Sequence, residues 1–140
     1  MILPSDLSVF QLLNNRLNML ETRQKTVAEN VANANSTSDV PGGDPYQRRM
    51  PVFREMVDRE TGAHGVQVVR TAQDQSDFPV EYDPTHPAAD ENGFVKLPNV
   101  QTLIEMADIR EAQRTYEANL NIIEGSRAMI NRALDLLRRG

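Results

Sequence analysis

Apolar residues recur every seven positions along the last third of the chain: Ile109, Tyr116, Ile123, Ile130 and Leu137. A strict seven-residue recurrence keeps one seam of a slightly underwound helix turned toward a partner. No proline interrupts the run from Asn99 to the end, and Gly125 is its one interior glycine. A helix over residues 99–138 would be roughly 60 Å long at 1.5 Å per residue. That is far longer than a globule of 140 residues needs. The seam therefore predicts a partner, in this chain or in neighbouring chains.

The other end of the chain carries a matching stripe. Phe10, Leu13, Leu17, Leu20, Gln24, Val27, Val31 and Ala34 alternate spacings of three and four without a slip, and only Gln24 is polar. This is the core pattern of a coiled coil. An ordinary amphipathic helix packed on a globular core fits the same pattern. Two long runs free of internal proline, at opposite ends of a short chain, favour pairing with each other. The expected fold is mainly α with a small β-rich insert. Long N- and C-terminal helices pair as an antiparallel coiled coil, and a central β-containing module projects at one end. The regions are 1–38, 39–98 and 99–140.

Local signals refine these boundaries. Met1 to Pro4 reads as a short lead-in, and Ser5 or Asp6 as the cap of a first helix running to about Asn35. Its remaining faces hold Asn14, Asn15, Asn18, Asn30, Asn33 and Asn35. Asparagine is a mediocre helix former, but its amide both donates and accepts, which suits bonds between packed helices. A solvated polar face accounts for these positions as well.

Breakers follow: Asn35 to Asp39, then Pro41-Gly42-Gly43-Asp44-Pro45. The middle segment predicts short elements. Val52-Phe53 opens a strand or brief turn, with a short helix around residues 53–60. Gly65 to Thr71 is the best strand, by β-branched content and near alternation. Phe78 to Tyr82 is a second. Asp83-Pro84-Thr85-His86-Pro87 reads as a stiff turn. Asn92-Gly93 is a hairpin signal leading into a returning strand, Phe94 to Leu97. Asn99 is the expected cap of the last helix. Acids (Glu105, Asp108, Glu111) crowd that helix's first half and arginines (Arg132, Arg138, Arg139) its last turns, which complements the helix dipole. Gly125, Ser126 and Ala128 form a patch of small residues that permits close approach by a neighbour or is simply tolerated.

The net charge of −5 is unevenly placed. Both terminal regions balance, so the whole excess lies in residues 36–100, eleven acids against six bases. Neutral ends suit close packing, and an acidic middle suits solvent. No basic stripe exists to neutralise phosphates, which argues against nucleic acid. Aromatic content is only 5%, with no tryptophan, so the core is thin and helix pairing or oligomerisation would support it. Without cysteine, disulfides and cysteine-based zinc sites are excluded. No stretch approaches the roughly 20 apolar residues of a membrane span. The first 30 residues are amphipathic rather than a compact apolar run, so export without a cleaved signal is the expectation if the chain leaves the cytoplasm.

Catalytic signatures are absent. His64 and His86 have no metal-ligand spacing. Asp83, His86, Asp90 and Glu91 could approach a hard cation, but they lack the regular spacing of a calcium loop, and two prolines stiffen the segment. There is no nucleophile elbow, P-loop or dinucleotide fingerprint. No enzyme, metal, cofactor or small-molecule substrate is expected.

A chain-wide resemblance then becomes visible. Ala28 to Thr37 contains Asn30-Val31-Ala32-Asn33, which resembles the asparagine–hydrophobic–alanine–asparagine signature of flagellar rod, hook and hook-associated proteins. Further segments follow in order: Pro45 to Arg49, Tyr82 to Asp90, Asn92 to Val100, Glu105 to Asp108, and Arg114 to Asn119. Together they resemble a proximal rod protein of this axial family. A sibling proximal rod protein is the nearest confounder, and the Asp83-Pro84-Thr85-His86-Pro87 segment argues against it. A free-standing coiled-coil adaptor is the alternative outside the family.

The resemblance implies a structural subunit of the flagellar basal-body rod, which spans the periplasm, transmits torque and encloses the export channel. It implies paired terminal helices forming a tubular inner layer, with the β-containing part outside. The implied partners are copies of the chain, sibling proximal rod proteins, a rod-base adaptor, the distal rod and the type III export apparatus. On this reading the helix-pairing and subunit surfaces comprise Leu13, Leu17, Leu20, Val27, Asn30, Val31, Asn33 and Ala34 from the first helix. The last helix contributes Ile109, Tyr116, Asn119, Ile123, Ile130 and Leu137.

Overall fold

The computed structural model describes residues 4–57, 59, 62 and 64–140. Two helices bracket four strands in the order α1 (Pro4–Ala32), β1 (Arg49–Val57), β2 (His64–Gln73), β3 (Val80–Tyr82), β4 (Phe94–Lys96) and α2 (Thr102–Arg139). The strands form two separate antiparallel pairs, β1 with β2 and β3 with β4.

The helices pack on each other, and burial follows the heptad. On α1, Leu13, Leu20 and Val27 are buried, seven residues apart. Phe10, Leu17, Gln24 and Val31 sit half-buried beside them. On α2 the buried row is Glu105, Ala112 and Asn119, again seven apart. The apolar row read from the sequence lies beside it: Ile123 is buried, while Ile109, Tyr116 and Ile130 are half-buried. Small and polar residues thus hold the innermost positions of α2, and the large residues flank them. Arg23 of α1 meets Asp108 of α2 at 3.4 Å.

The β1–β2 hairpin packs against α1. Arg49 lies at the Asn30 end of the helix. At the other end of the hairpin, Gly65 passes so close that an added Cβ would lie 3.5 Å from Asn15 and 3.6 Å from Leu12. The hairpin therefore runs back along α1 rather than projecting from one end of the helices, as the sequence had suggested. Its register shifts between Val52 and Phe53, which leaves Val69 as an extra residue in β2. Such a bulge sharpens the local twist.

The β3–β4 pair closes over the rigid loop 83–93. Tyr82 and Phe94 meet edge to face with ring centroids 5.4 Å apart. Gly93 turns the chain at φ +82°, and a Cβ there would sit 3.0 Å from the Tyr82 ring, so no other residue fits without strain.

Four expectations are corrected. The short helix around residues 53–60 is absent among the described residues, because Phe53 to Val57 pair with β2. Phe53 to Met56 carry no strong strand bias of their own, and pairing with Val66 and Val68 decides their conformation. Asn99 does not cap α2. The cap position is Gln101, without a side-chain hydrogen bond, and Asn99 is buried and bonded elsewhere. Pro4 is already helical, so Ser5 and Asp6 lie inside the first turn rather than ahead of it. The rest of the expected lead-in, Met1 to Leu3, lies outside the described residues. The first helix also ends at Ala32 rather than Asn35, with Asn33 to Asn35 forming a turn.

Candidate functional site

The fold converges on a polar junction where α1, the two ends of the β1–β2 hairpin and the start of α2 meet. Asn30 supplies the α1 side. Its side chain is 1% exposed, and each of its bonds is made within the chain. Asn30 Oδ1 accepts the Tyr46 hydroxyl (2.8 Å) and the Arg49 amide (2.9 Å), while Nδ2 donates to the Arg49 carbonyl (2.9 Å). A side-chain amide carries its acceptor and its donor on separate atoms, as a peptide group does. It pins the first residue of β1 onto α1 as if it were another strand.

Asn99 performs the same task on the other side. Its Oδ1 accepts the Arg48 amide (2.7 Å), and its Nδ2 donates to the carbonyls of Asp74 and Ser76 (both 3.1 Å). The segment before α2 is thereby tied both to the entry of β1 and to the exit of β2. Between these two amides lies Arg48. Its Nε donates to Glu105 Oε1 and its Nη1 contacts Asp74 Oδ2 at 3.3 Å. Glu105 is 1% exposed, so this is a buried ion pair on the innermost row of α2.

The electrostatics agree with this geometry. Burial alone would lower the Arg48 guanidinium, but the bonds and charges of Glu105 and Asp74 outweigh it and hold Arg48 above its ordinary value. The Ser76 amide, bonded to Asp74 Oδ1 at 2.8 Å, holds the Asp74 carboxyl below its ordinary range; the Ser76 hydroxyl and Arg48 reinforce it against partial burial. Burial pushes the Tyr46 phenol up. Each of these charges is held in one state near neutral pH. The junction fixes the orientation of the elements it joins.

Among the sequence-predicted residues, Asn30 and Asn33 serve their own chain. Asn33 Nδ2 donates to the Glu29 carbonyl (2.9 Å), and its Oδ1 accepts the Ser36 hydroxyl (3.1 Å), which closes the end of α1. Leu13, Leu20, Val27, Asn119 and Ile123 are buried, while Leu17, Val31, Ala34, Ile109, Tyr116 and Ile130 are half-buried. Leu137 stands apart at 73% exposed, and every residue from Asn131 onward is exposed. Ala112 and Glu105 were missed as interior residues. An acid on the seven-residue row of Ala112 and Asn119 was the available signal, since a carboxylate in such a row needs a buried partner.

The acids and histidine of residues 83–91 act as turn locks. Asp83 Oδ1 accepts the Thr85 hydroxyl (2.8 Å), His86 Nδ1 accepts the Ala88 amide (3.0 Å), and Asp90 Oδ1 accepts the Asn92 and Phe94 amides (both 2.9 Å). Among the described residues no three His, Cys, Asp or Glu gather as a metal site. Among the described residues no helix is long and apolar enough to cross a membrane.

Sequence comparison with known proteins covers most of the chain. Residues 91–136, which include most of α2, match the family described as flagellar basal body rod FlgEFG protein C-terminal. The flagellar basal-body rod protein FlgC of Agrobacterium fabrum is 49% identical over 122 residues, covering 87% of this chain and 88% of that protein. FlgC of Salmonella typhimurium is 32% identical over 130 residues, covering 93% and 96%. FlgC of Aquifex aeolicus is 36% identical over 113 residues, covering 81% and 83%.

Proposed function

The chain belongs to the FlgC family of flagellar basal-body rod proteins, and on that premise we propose that it builds the proximal rod by polymerising through its terminal helices. It is a structural subunit of the basal-body rod. The observation that carries this is likeness at 49% identity across 87% of the chain. The sibling FlgB reading is not favoured, since the matching relatives carry the other name. A rod-protein family implies a non-enzymatic role, and the polar junction provides rigidity in place of chemistry.

In the finer reading, α1 and α2 form an antiparallel coiled coil. Buried rows of period seven on both helices and the Arg23–Asp108 contact support it. The large side chains that flank those rows, with Leu137 beyond them, are the surfaces that meet other subunits. The drive shaft's inner wall forms from these helices, with the β region outside. The partners are further copies, sibling proximal rod proteins, the rod-base adaptor and the distal rod, after export without a cleaved signal through the type III apparatus.

Deleting the gene and imaging isolated basal bodies tests the reading. The expected result is loss of swimming, rod, hook and filament with the membrane ring retained, restored by the intact gene. Normal basal bodies in a strain with a single copy would overturn it.

A further inference from the structure

We propose that the cavity at the start of α2 is a socket for the last turn of α2 from a second copy of this chain, entered by Arg138 or Arg139. The inference rests on the assembly reading above and names one of its contacts. The cavity measures about 280 Å³ and is lined by Arg48, Asp74, Ser76, Asn99, Ile104 and Glu105, among others. Glu105 is 1% exposed; its Oε1 takes the Arg48 guanidinium, and its Oε2 has no hydrogen-bond partner among the described residues. Buried carboxylate oxygens are almost always supplied with a donor in finished structures. No described residue supplies one, and the open cavity in front of it leaves room for a donor from a neighbouring copy.

Charge narrows what that donor is. Two carboxylates, Glu105 and Asp74, face the single Arg48 guanidinium. A second cation balances the set, and a guanidinium adds a rigid fork of N–H donors suited to a carboxylate. The cavity's surroundings narrow it further. Leu103, Ile104 and Met106 are exposed in the first turns of α2, with Leu103 at 83%. The complement is a cation flanked by apolar side chains. The last turn of α2 has that composition: Leu136 and Leu137 stand exposed beside Arg138 and Arg139.

Within one chain the two ends of this 38-residue helix cannot meet. At 1.5 Å per residue they lie roughly 57 Å apart. The contact therefore joins different copies, end of α2 to start of α2. Such a contact is heterologous and repeats from copy to copy.

The chain has no cysteine, which makes a cross-linking test clean. I104C and L137C are placed on separate full-length proteins, mixed, sedimented to measure assembly, and oxidised. The expected result is a disulfide-linked dimer in the mixture that is absent from either protein alone. Adding R138E and R139E to the L137C protein should lower its yield roughly tenfold or more. Q101C, at an exposed lining position, serves as the second socket variant if I104C does not fold. Sedimenting assemblies without the mixed dimer, or a mixed dimer indifferent to R138E and R139E, would overturn this contact while leaving polymerisation standing. No assembly of any kind under these conditions would count against both.

Discussion

The two ends of α2 are finished in different ways. Around Glu105 the helix is locked to its own chain: Asn99, Arg48 and Asp74 join it to the strands, and Asn30 joins the strands to α1. From Asn131 to the end the same helix touches little, and Leu134, Leu136 and Leu137 face outward. Burying each of these leucines would contribute roughly 1.5–3 kcal/mol. One end is thus specified by directional polar bonds within the chain. The other keeps its apolar surface for something else. Polar bonds set an angle and tolerate no substitute partner, whereas apolar surface accepts any complementary neighbour. A subunit that must be rigid yet add to a growing assembly uses each where it is suited.

The contrast can be broken most directly at Arg48. Arg48→Ala leaves Glu105 buried without its counter-charge and should cost about 3–5 kcal/mol, seen as a lower urea midpoint. A loss below about 1 kcal/mol would mean that the junction is not what holds the fold. Asn30→Ala should cost less, about 2–3 kcal/mol, because it orphans the Arg49 amide and the Tyr46 hydroxyl but no charge. Asn30→Asp keeps the acceptor but turns a buried carboxylate oxygen toward the Arg49 carbonyl, so it should cost at least as much as alanine.

Acid tests the locked end through Asp74. The folded Asp74 carboxyl is held below its ordinary range, so its contribution is complete above the unfolded carboxyl's pKa of about 3.9. That contribution is lost as pH falls through the lower, folded value. Asp74→Asn should remove this part of the acid sensitivity in urea titrations between neutral pH and pH ~3. The smallest effect belongs to the free end. L136S with L137S should shift monomer stability by no more than about 0.5 kcal/mol, yet abolish sedimentation of assemblies. A large loss of monomer stability would show that these leucines serve their own chain.

Both helices were legible in the sequence, because a seam uninterrupted by proline leaves few other solutions. The strand at Gly65 to Thr71 and the return at Phe94 were legible for the same kind of reason: β-branched content and an Asn-Gly turn are local signals. What escaped was set by distant partners. Phe53 to Val57 became a strand through pairing with β2. Asn99 looked like a helix cap because its short amide sits just ahead of a helix, but Arg48, Asp74 and Ser76 claim that amide instead. The junction itself was only half legible. Asn30 was singled out as an interface residue; within its own chain it also binds Tyr46 and Arg49, which no local signal announces. Glu105 was assigned to the helix dipole, since nothing near it in sequence announces Arg48. The free end of α2 was read as part of the seam, because the period of seven continues through Leu137 whether or not anything covers it.

The junction also sets a timetable for folding. Its central ion pair closes a loop of 57 residues, while the two strand pairs need only short-range contacts. Long closures are slow to find, so the hairpins are expected to close before the Arg48–Glu105 pair, and the pairing of α1 with α2, which spans a still longer loop, after it. A chain emerging N-terminus first cannot complete the knot until position 105 has appeared. Beyond Glu105 the helix closes on α1 as far as Ile130, and only the exposed stretch from Asn131 onward has little of its own chain to wait for. The last segment to appear is therefore the first free to engage a neighbour.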